Sequence, residues 1–210
     1  MNDLINDNSW LAQVRAFISI AQTGLAYSKD PYDIERYHQL LETAETLLFQ
    51  QPTPLSNQLL ENLVADTGYA TPKMDIRAGV FDRERILLVK EYEDGLWSLP
   101  GGWADINYSP SEVVKKEVLE ESGLHVQPYK LVAFTDRRLH PHPPMLLHVY
   151  KAFFLCKLIG GTLRPSLETP DVRFFDEHQL PELSTARVTH QQISMMYQHL
   201  RDQKLPTYFD

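Results

Sequence analysis

One cysteine in 210 residues rules out any internal disulfide framework, so packing must hold the fold, as suits a reducing compartment. Cys156 lies within an apolar run, where a buried structural thiol is expected in place of a nucleophile. Basic residues are also scarce. Only 20 Lys and Arg stand against 28 Asp and Glu, a formal net charge of -8. That balance excludes a general nucleic-acid-coating role, which needs a basic face, and no basic recognition helix suggests a DNA-binding regulator. It also means that a phosphate-rich ligand is repelled until divalent cations neutralise its site. No apolar run approaches the length of a membrane span. Asn2, Asp3, Asn6 and Asp7 stand where a secretory signal carries basic residues. The expectation is a soluble cytoplasmic protein with no membrane and no DNA partner.

What is present divides into two grammars. Trp10, Leu11, Val14, Phe17, Ile18, Ala21 and Leu25 recur at helical spacing. A second helix opens at Asp30-Pro31 and carries Ile34, Tyr37, Leu40, Leu41, Ala44, Leu47 and Leu48. A third opens at Thr53-Pro54, with Leu55, Leu59, Leu60, Leu63 and Val64 on its apolar side. Three short amphipathic helices make a thin core, which predicts that a leftover apolar face packs on the main domain or on a second subunit. From Lys73 the pattern changes to strands. Met74 to Phe81 and Arg85 to Tyr92 form a hairpin around Asp82-Arg83-Glu84. Leu131 to Arg137, Leu146 to Leu158 and Val172 to Phe175 read as further strands, and Ile193, Met196 and Leu200 mark a closing helix. This order predicts an α+β sandwich, with a helical domain over residues 1–68 and a second domain over 69–210.

The chain is organised around LPGGWADINYSPSEVVKKEVLEESGL, Leu99 to Leu124. Ser109 is an N-cap, Pro110 suits the first helical position, and Glu112 completes a capping box. Gly123 supplies a left-handed stop. Between them Glu117, Glu120 and Glu121 fall at i, i+3 and i+4, on one helical face. Like charges at that spacing repel unless a cation sits among them, and grouped hard oxygens suit Mg²⁺ or Mn²⁺. Pro100-Gly101-Gly102 adds backbone that phosphate oxygens can approach without side-chain obstruction.

Gly102 to Leu124 resembles the Nudix box, G-x5-E-x7-R-E-U-x-E-E-x-G-U with U aliphatic. Gly102, Glu117, Val118, Glu120, Glu121, Gly123 and Leu124 fall in register. Tyr108 replaces the first Glu of the box and Lys116 replaces its Arg, which predicts an alternative brace between loop and helix. The resemblance implies a Nudix α/β/α sandwich and a metal-dependent pyrophosphohydrolase acting on a nucleoside diphosphate linked to a second group X. Gly68 to Lys73, Trp97 to Asp105 and His140 to Pro144 are similar to the bacterial CDP-choline pyrophosphatase branch, which also carries a helical N-terminal domain. That likeness implies CDP-choline as substrate, with CMP and phosphocholine as products, and a homodimer. The alternatives are an ADP-ribose or nucleotide-sugar pyrophosphatase, an RNA-end hydrolase, and a non-catalytic ligand sensor.

Carried over residue by residue, the resemblance implies Glu117 and Glu121 as metal ligands and Glu120 as ligand or base. Glu168, with Asp171 second, is the candidate for a further carboxylate on the loop before the Val172 strand. Candidate substrate contacts are Gly101, Gly102, Arg77, His142 and Trp103. Arg77 reads either as a phosphate contact or as a surface cation. His140 and His142 sit among prolines and suit a substrate loop or a structural role. Trp97, Trp103 and Tyr108 suit base stacking or packing.

Overall fold

The computed structural model describes residues 9–49 and 68–210, which fall into two compact units. One comprises the described residues of 1–72 with Pro144–His148, and the other Lys73–Pro143 with Val149–Asp210. The helix expected after Thr53 lies outside the described residues.

In the first unit, α1 (Ser9–Tyr27) and α2 (Pro31–Phe49) form a pair. Asp30 caps α2, its Oδ1 accepting from the N–H groups of Tyr32 and Asp33, with Pro31 opening the helix. Leu11, Val14, Ile18 and Ala21 of α1 meet Leu41, Ala44 and Leu48 of α2 in one cluster. Leu146 completes that cluster, and Arg15 Nη1 donates to Met145 O at 3.1 Å. The expected strand from Leu146 therefore starts later, at Val149. Residues 146–148 follow the helical core because it buries Leu146 on all sides, which a half-covered strand end cannot do.

The second unit is a mixed sheet between helices. Its strands are β1 (Lys73–Asp82), β2 (Arg85–Lys90), β3 (Trp97–Ser98), β4 (Gly101–Trp103), β5 (Leu124–Asp136), β6 (Val149–Gly161), β7 (Asp171–Phe175) and β8 (Tyr208–Phe209). The order is β3-β2-β1-β6-β5-β8, with β4 also on β1 and β7 also on β2. β1 runs parallel to β6 and antiparallel to β2 and β4. β5 begins at Leu124, seven positions before the expected Leu131, and alternates buried and exposed through Leu124–Tyr129. Pro128, a weak strand former, sits at a register shift where the missing N–H does no harm.

Strand alternation splits the core in two. Ile76, Ala78, Val80, Ala152 and Cys156 pack against Val113, Val114 and Val118 of α3 (Pro110–Ser122). On the other face Phe153, Leu155, Val132 and Ala133 pack against Ile193, Met196 and Tyr197 of α4 (His190–Arg201). This is the α/β/α sandwich, and Cys156 is a buried free thiol whose pKa burial pushes up to about 12. No described helix is long and apolar enough to cross a membrane.

Candidate active site

The ends of α3 form as its residue types require. Ser109 Oγ accepts from Glu112 N–H, the Glu112 carboxylate accepts from Ser109 N–H, and Gly123 closes the helix in the left-handed region at φ 73°. With both ends pinned, the register of the glutamates is set.

β4 sits directly above this helix. Gly101, Gly102 and Trp103 pair with Arg77, Ile76 and Asp75 of β1. Gly101 has φ +141°, and a Cβ there would meet Ile76 O at 2.0 Å, so only glycine fits. A Cβ on Gly102 would stand 3.1 Å from Glu117 Oε2, which places that carboxylate against the glycine strand. Gly101 N–H donates to Glu121 Oε2 at 2.8 Å. Gly101 thus holds Glu121, and the bare backbone of Gly102 leaves room for Glu117.

Glu117, Glu120 and Glu121 line one cleft of about 350 Å³ with Ser166, Leu167 and Glu168. Burial, reinforced by the Glu91 and Glu117 charges, pushes the Glu121 carboxyl up to about 8, against the opposing pull of Arg77 and Gly101 N–H. Burial likewise raises Glu117, with Glu120 adding to the shift and Lys116 opposing it. In both, taking a carboxylate out of water disfavours its ionised form. Among the described residues, no group of three or more His, Cys, Asp or Glu converges as a metal cage. Glu121 leans to the glycine strand, while Glu120 Oε2 lies 3.4 Å from Lys116 Nζ. The donor chemistry nevertheless fits a hard divalent cation: these are carboxylate oxygens on one cleft, with Glu117 and Glu121 partly desolvated, whose repulsion such an ion would relieve.

The alternative brace is Lys116 with Asp105. Lys116 Nζ donates to Asp105 Oδ2 at 2.9 Å and lies 3.5 Å from Glu117 Oε1. Those partners raise the lysine pKa, the Asp105 hydrogen bond first among them. Asp105 lies three residues before Tyr108, in the loop that leads from β4 to α3. The loop is thus tied to the helix from a different position.

Other expected contacts lie elsewhere. Arg77 is 6% exposed, donating from Nε to Asp75 Oδ1 at 2.8 Å and from Nη1 to Leu99 O at 3.1 Å. Asp75 also accepts from Lys151 Nζ, itself fully buried. Arg77 is therefore neither a surface cation nor a free phosphate ligand: it braces the backbone that enters the glycine strand. His142 is not among the residues lining the cleft. Its Nδ1 lies 2.7 Å from Thr185 O and its Nε2 2.9 Å from Gln192 Nε2. Because the carbonyl can only accept, Nδ1 carries the proton and Nε2 accepts from the Gln192 amide. Both nitrogens are committed, so His142 ties its loop to the Thr185 loop and to the first turn of α4 instead of offering a ligand contact. Trp103 alternates to the face opposite Gly102, about half exposed. Asp171 is held by Arg173 at 2.5 Å, which leaves Glu168 as the loop carboxylate in the cleft.

Two features had no signal in the sequence. Glu91, buried just after β2, accepts from Ser98 Oγ and lies 3.3 Å from Arg187 Nε. Thr169 Oγ1 donates to Glu121 O at 2.7 Å, fastening the Glu168 loop to α3. Both depend on partners 7 to 96 residues away, and hydropathy patterns carry no such information.

Comparison with known proteins adds the following. Residues 73–197 match the NUDIX domain, and residues 8–61 match the family described as UDP-X-like, N-terminal oligomerisation domain. A Bacillus subtilis (strain 168) protein, provisionally named an ADP-ribose pyrophosphatase, is 41% identical over 96% of this chain and 97% of its own. The crystal structure of an ADP-ribose pyrophosphatase from Streptococcus suis 89-1591 is 42% identical, with a TM-score of 0.62, over 67% of this chain and 100% of its own. That of a UDP-X diphosphatase is 33% identical, with a TM-score of 0.63, over 97% of this chain and 99% of its own.

Proposed function

The chain belongs to the Nudix hydrolases, and on that premise we propose that it cleaves the pyrophosphate of a nucleoside diphosphate sugar of the ADP-ribose or UDP-X kind. The relatives' names favour this over CDP-choline, the first reading of the sequence. The observation that carries the reading is that Glu117, Glu120, Glu121 and Glu168 line one cleft beside the glycine strand.

Glu117, Glu120 and Glu121 would hold Mg²⁺ or Mn²⁺. When bound, such an ion lowers the pKa of water and neutralises charge on the phosphates. The oxygen of one water attacks one phosphorus, the bond from that phosphorus to the bridging oxygen breaks, and the bridging oxygen leaves with the other phosphate. ADP-ribose would give AMP and ribose 5-phosphate. Glu168, on the cleft rim, accepts the proton of the attacking water at its carboxylate. Gly101 N–H orients Glu121, and the Arg77–Asp75–Lys151 network holds the strand that carries it. The helical unit serves assembly as a homodimer, in keeping with the description of its family.

The test is hydrolysis of ADP-ribose, UDP-glucose, CDP-choline and a 5′-triphosphate RNA oligonucleotide with Mg²⁺ or Mn²⁺. Sugar nucleotides are expected to be turned over fastest. Glu121→Gln should lose more than the ~10–100-fold typical of residues one shell outside a metal. Glu168→Gln should lower kcat with KM little moved, and Asp171→Asn should do neither. Preferential turnover of CDP-choline would restore the first reading, and an unimpaired Glu121→Gln would remove the metal assignment.

A further inference from the structure

Leu167 lines the acidic cleft beside Glu117, Glu120, Glu121 and Glu168, yet it is 96% exposed. A single surface leucine ordinarily needs no explanation. This one is mounted. Ser166 Oγ accepts from the N–H groups of Glu168 at 3.2 Å and Thr169 at 3.0 Å. Ser166 N–H donates to Thr169 O, and Tyr92 N–H donates to Glu168 O, each at 3.0 Å. Together with the Thr169 hydroxyl on Glu121 O, these bonds tie the loop to α3 and to the end of β2. A large apolar side chain thus stands in water on a tied-down loop, in a cleft otherwise lined by carboxylates and one serine.

We propose that Leu167 forms an apolar lip that receives the nucleobase of the substrate and sets its affinity. The assignment rests on the sugar-nucleotide reading above. In such a molecule the phosphates are charged and the sugars are covered with hydroxyls. The base alone offers a flat, weakly hydrated face, the part that gains from contact with a leucine. The lip acts on binding, and the carboxylates below it act on the phosphorus.

Leu167→Ala tests this, since an exposed side chain can be truncated without a cavity. Calorimetric titration with AMP, UMP and ribose 5-phosphate, in the presence of Mg²⁺, is set beside steady-state kinetics on the sugar nucleotides. The expectation is a rise in Kd for AMP and UMP, and in KM for the substrates, of about tenfold, the scale of losing a few contacting methyl and methylene groups. Ribose 5-phosphate binding should change less than twofold. Unchanged Kd for AMP and UMP would overturn the lip, as would failure of the wild-type protein to bind either nucleotide. So would loss of oligomer in sedimentation without loss of affinity, which would assign Leu167 to a subunit contact. Hydrolysis by the wild-type protein is scored separately. If no sugar nucleotide is cleaved but Leu167→Ala still weakens nucleotide binding, the reaction is wrong and the lip stands.

Discussion

Acid should loosen the second unit through His142. The ring sits between two partners that dictate its tautomer: Thr185 O takes the Nδ1 proton, and the Gln192 amide donates to Nε2. Gln192 cannot turn to accept instead, because its Oε1 already takes the Thr189 N–H at 3.0 Å in the cap of α4. A second proton on His142 would face an amide N–H₂. Burial, together with the positive charges of Lys151, Arg137 and His140, lowers its pKa to about 4, against the helping hydrogen bond to Thr185. The unfolded chain binds the proton near 6.5, so between these values it is the unfolded state that holds more protons, and stability falls as pH falls. At ~1.36 kcal/mol per pKa unit, about 2 kcal/mol should be lost between pH 7.5 and 5, and about 3 kcal/mol by pH 4. Urea unfolding of the wild-type protein and of His142→Gln across this range isolates the histidine from the carboxylates, which titrate in both. The expected result is a shallower pH slope for the variant, and a His142 NMR titration midpoint near the lower value. A midpoint close to that of free histidine, or identical slopes, would refute the reasoning.

Three further outcomes follow from the packing. Gly101→Ala places a Cβ 2.0 Å from Ile76 O at φ +141°. It should cost about 3 kcal/mol, from backbone strain and overpacking together, read by urea unfolding, and should weaken divalent-ion binding as the Gly101 N–H leaves Glu121. Leu146→Ala should destabilise the helical unit by about 3 kcal/mol, visible as an earlier loss of helical circular dichroism, with assembly falling in parallel. Lys116→Ala breaks a partly exposed pair, so stability should change by no more than about 1 kcal/mol. Turnover should fall further than stability, and Lys116→Arg should restore it. An equal loss in both would make the brace purely structural.

Much of this could be read without coordinates because the signals are local. The cap at Ser109, the stop at Gly123 and the spacing of Glu117, Glu120 and Glu121 depend on residues a turn apart, and each appears as expected. The hairpin around Arg83 and the closing helix are equally local. Leu146 reads as strand in the sequence yet precedes β6, for the opposite reason. An apolar residue between two strands carries no mark of which core it will enter, and here it completes the cluster formed by α1 and α2.

The site divides along the same line. Sequence alone determined which side chains stand on the acidic face of α3, and that glycine must precede it, since helical periodicity and the left-handed region are properties of short segments. Only the tertiary structure decided what charge meets what. It paired Lys116 with Asp105, buried Arg77 against Asp75 and Leu99 O, locked His142 between Thr185 and Gln192, and set Leu167 at the mouth of the cleft. A charged side chain has several chemically equivalent partners in the sequence, and the distances that choose among them exist only once the chain has folded.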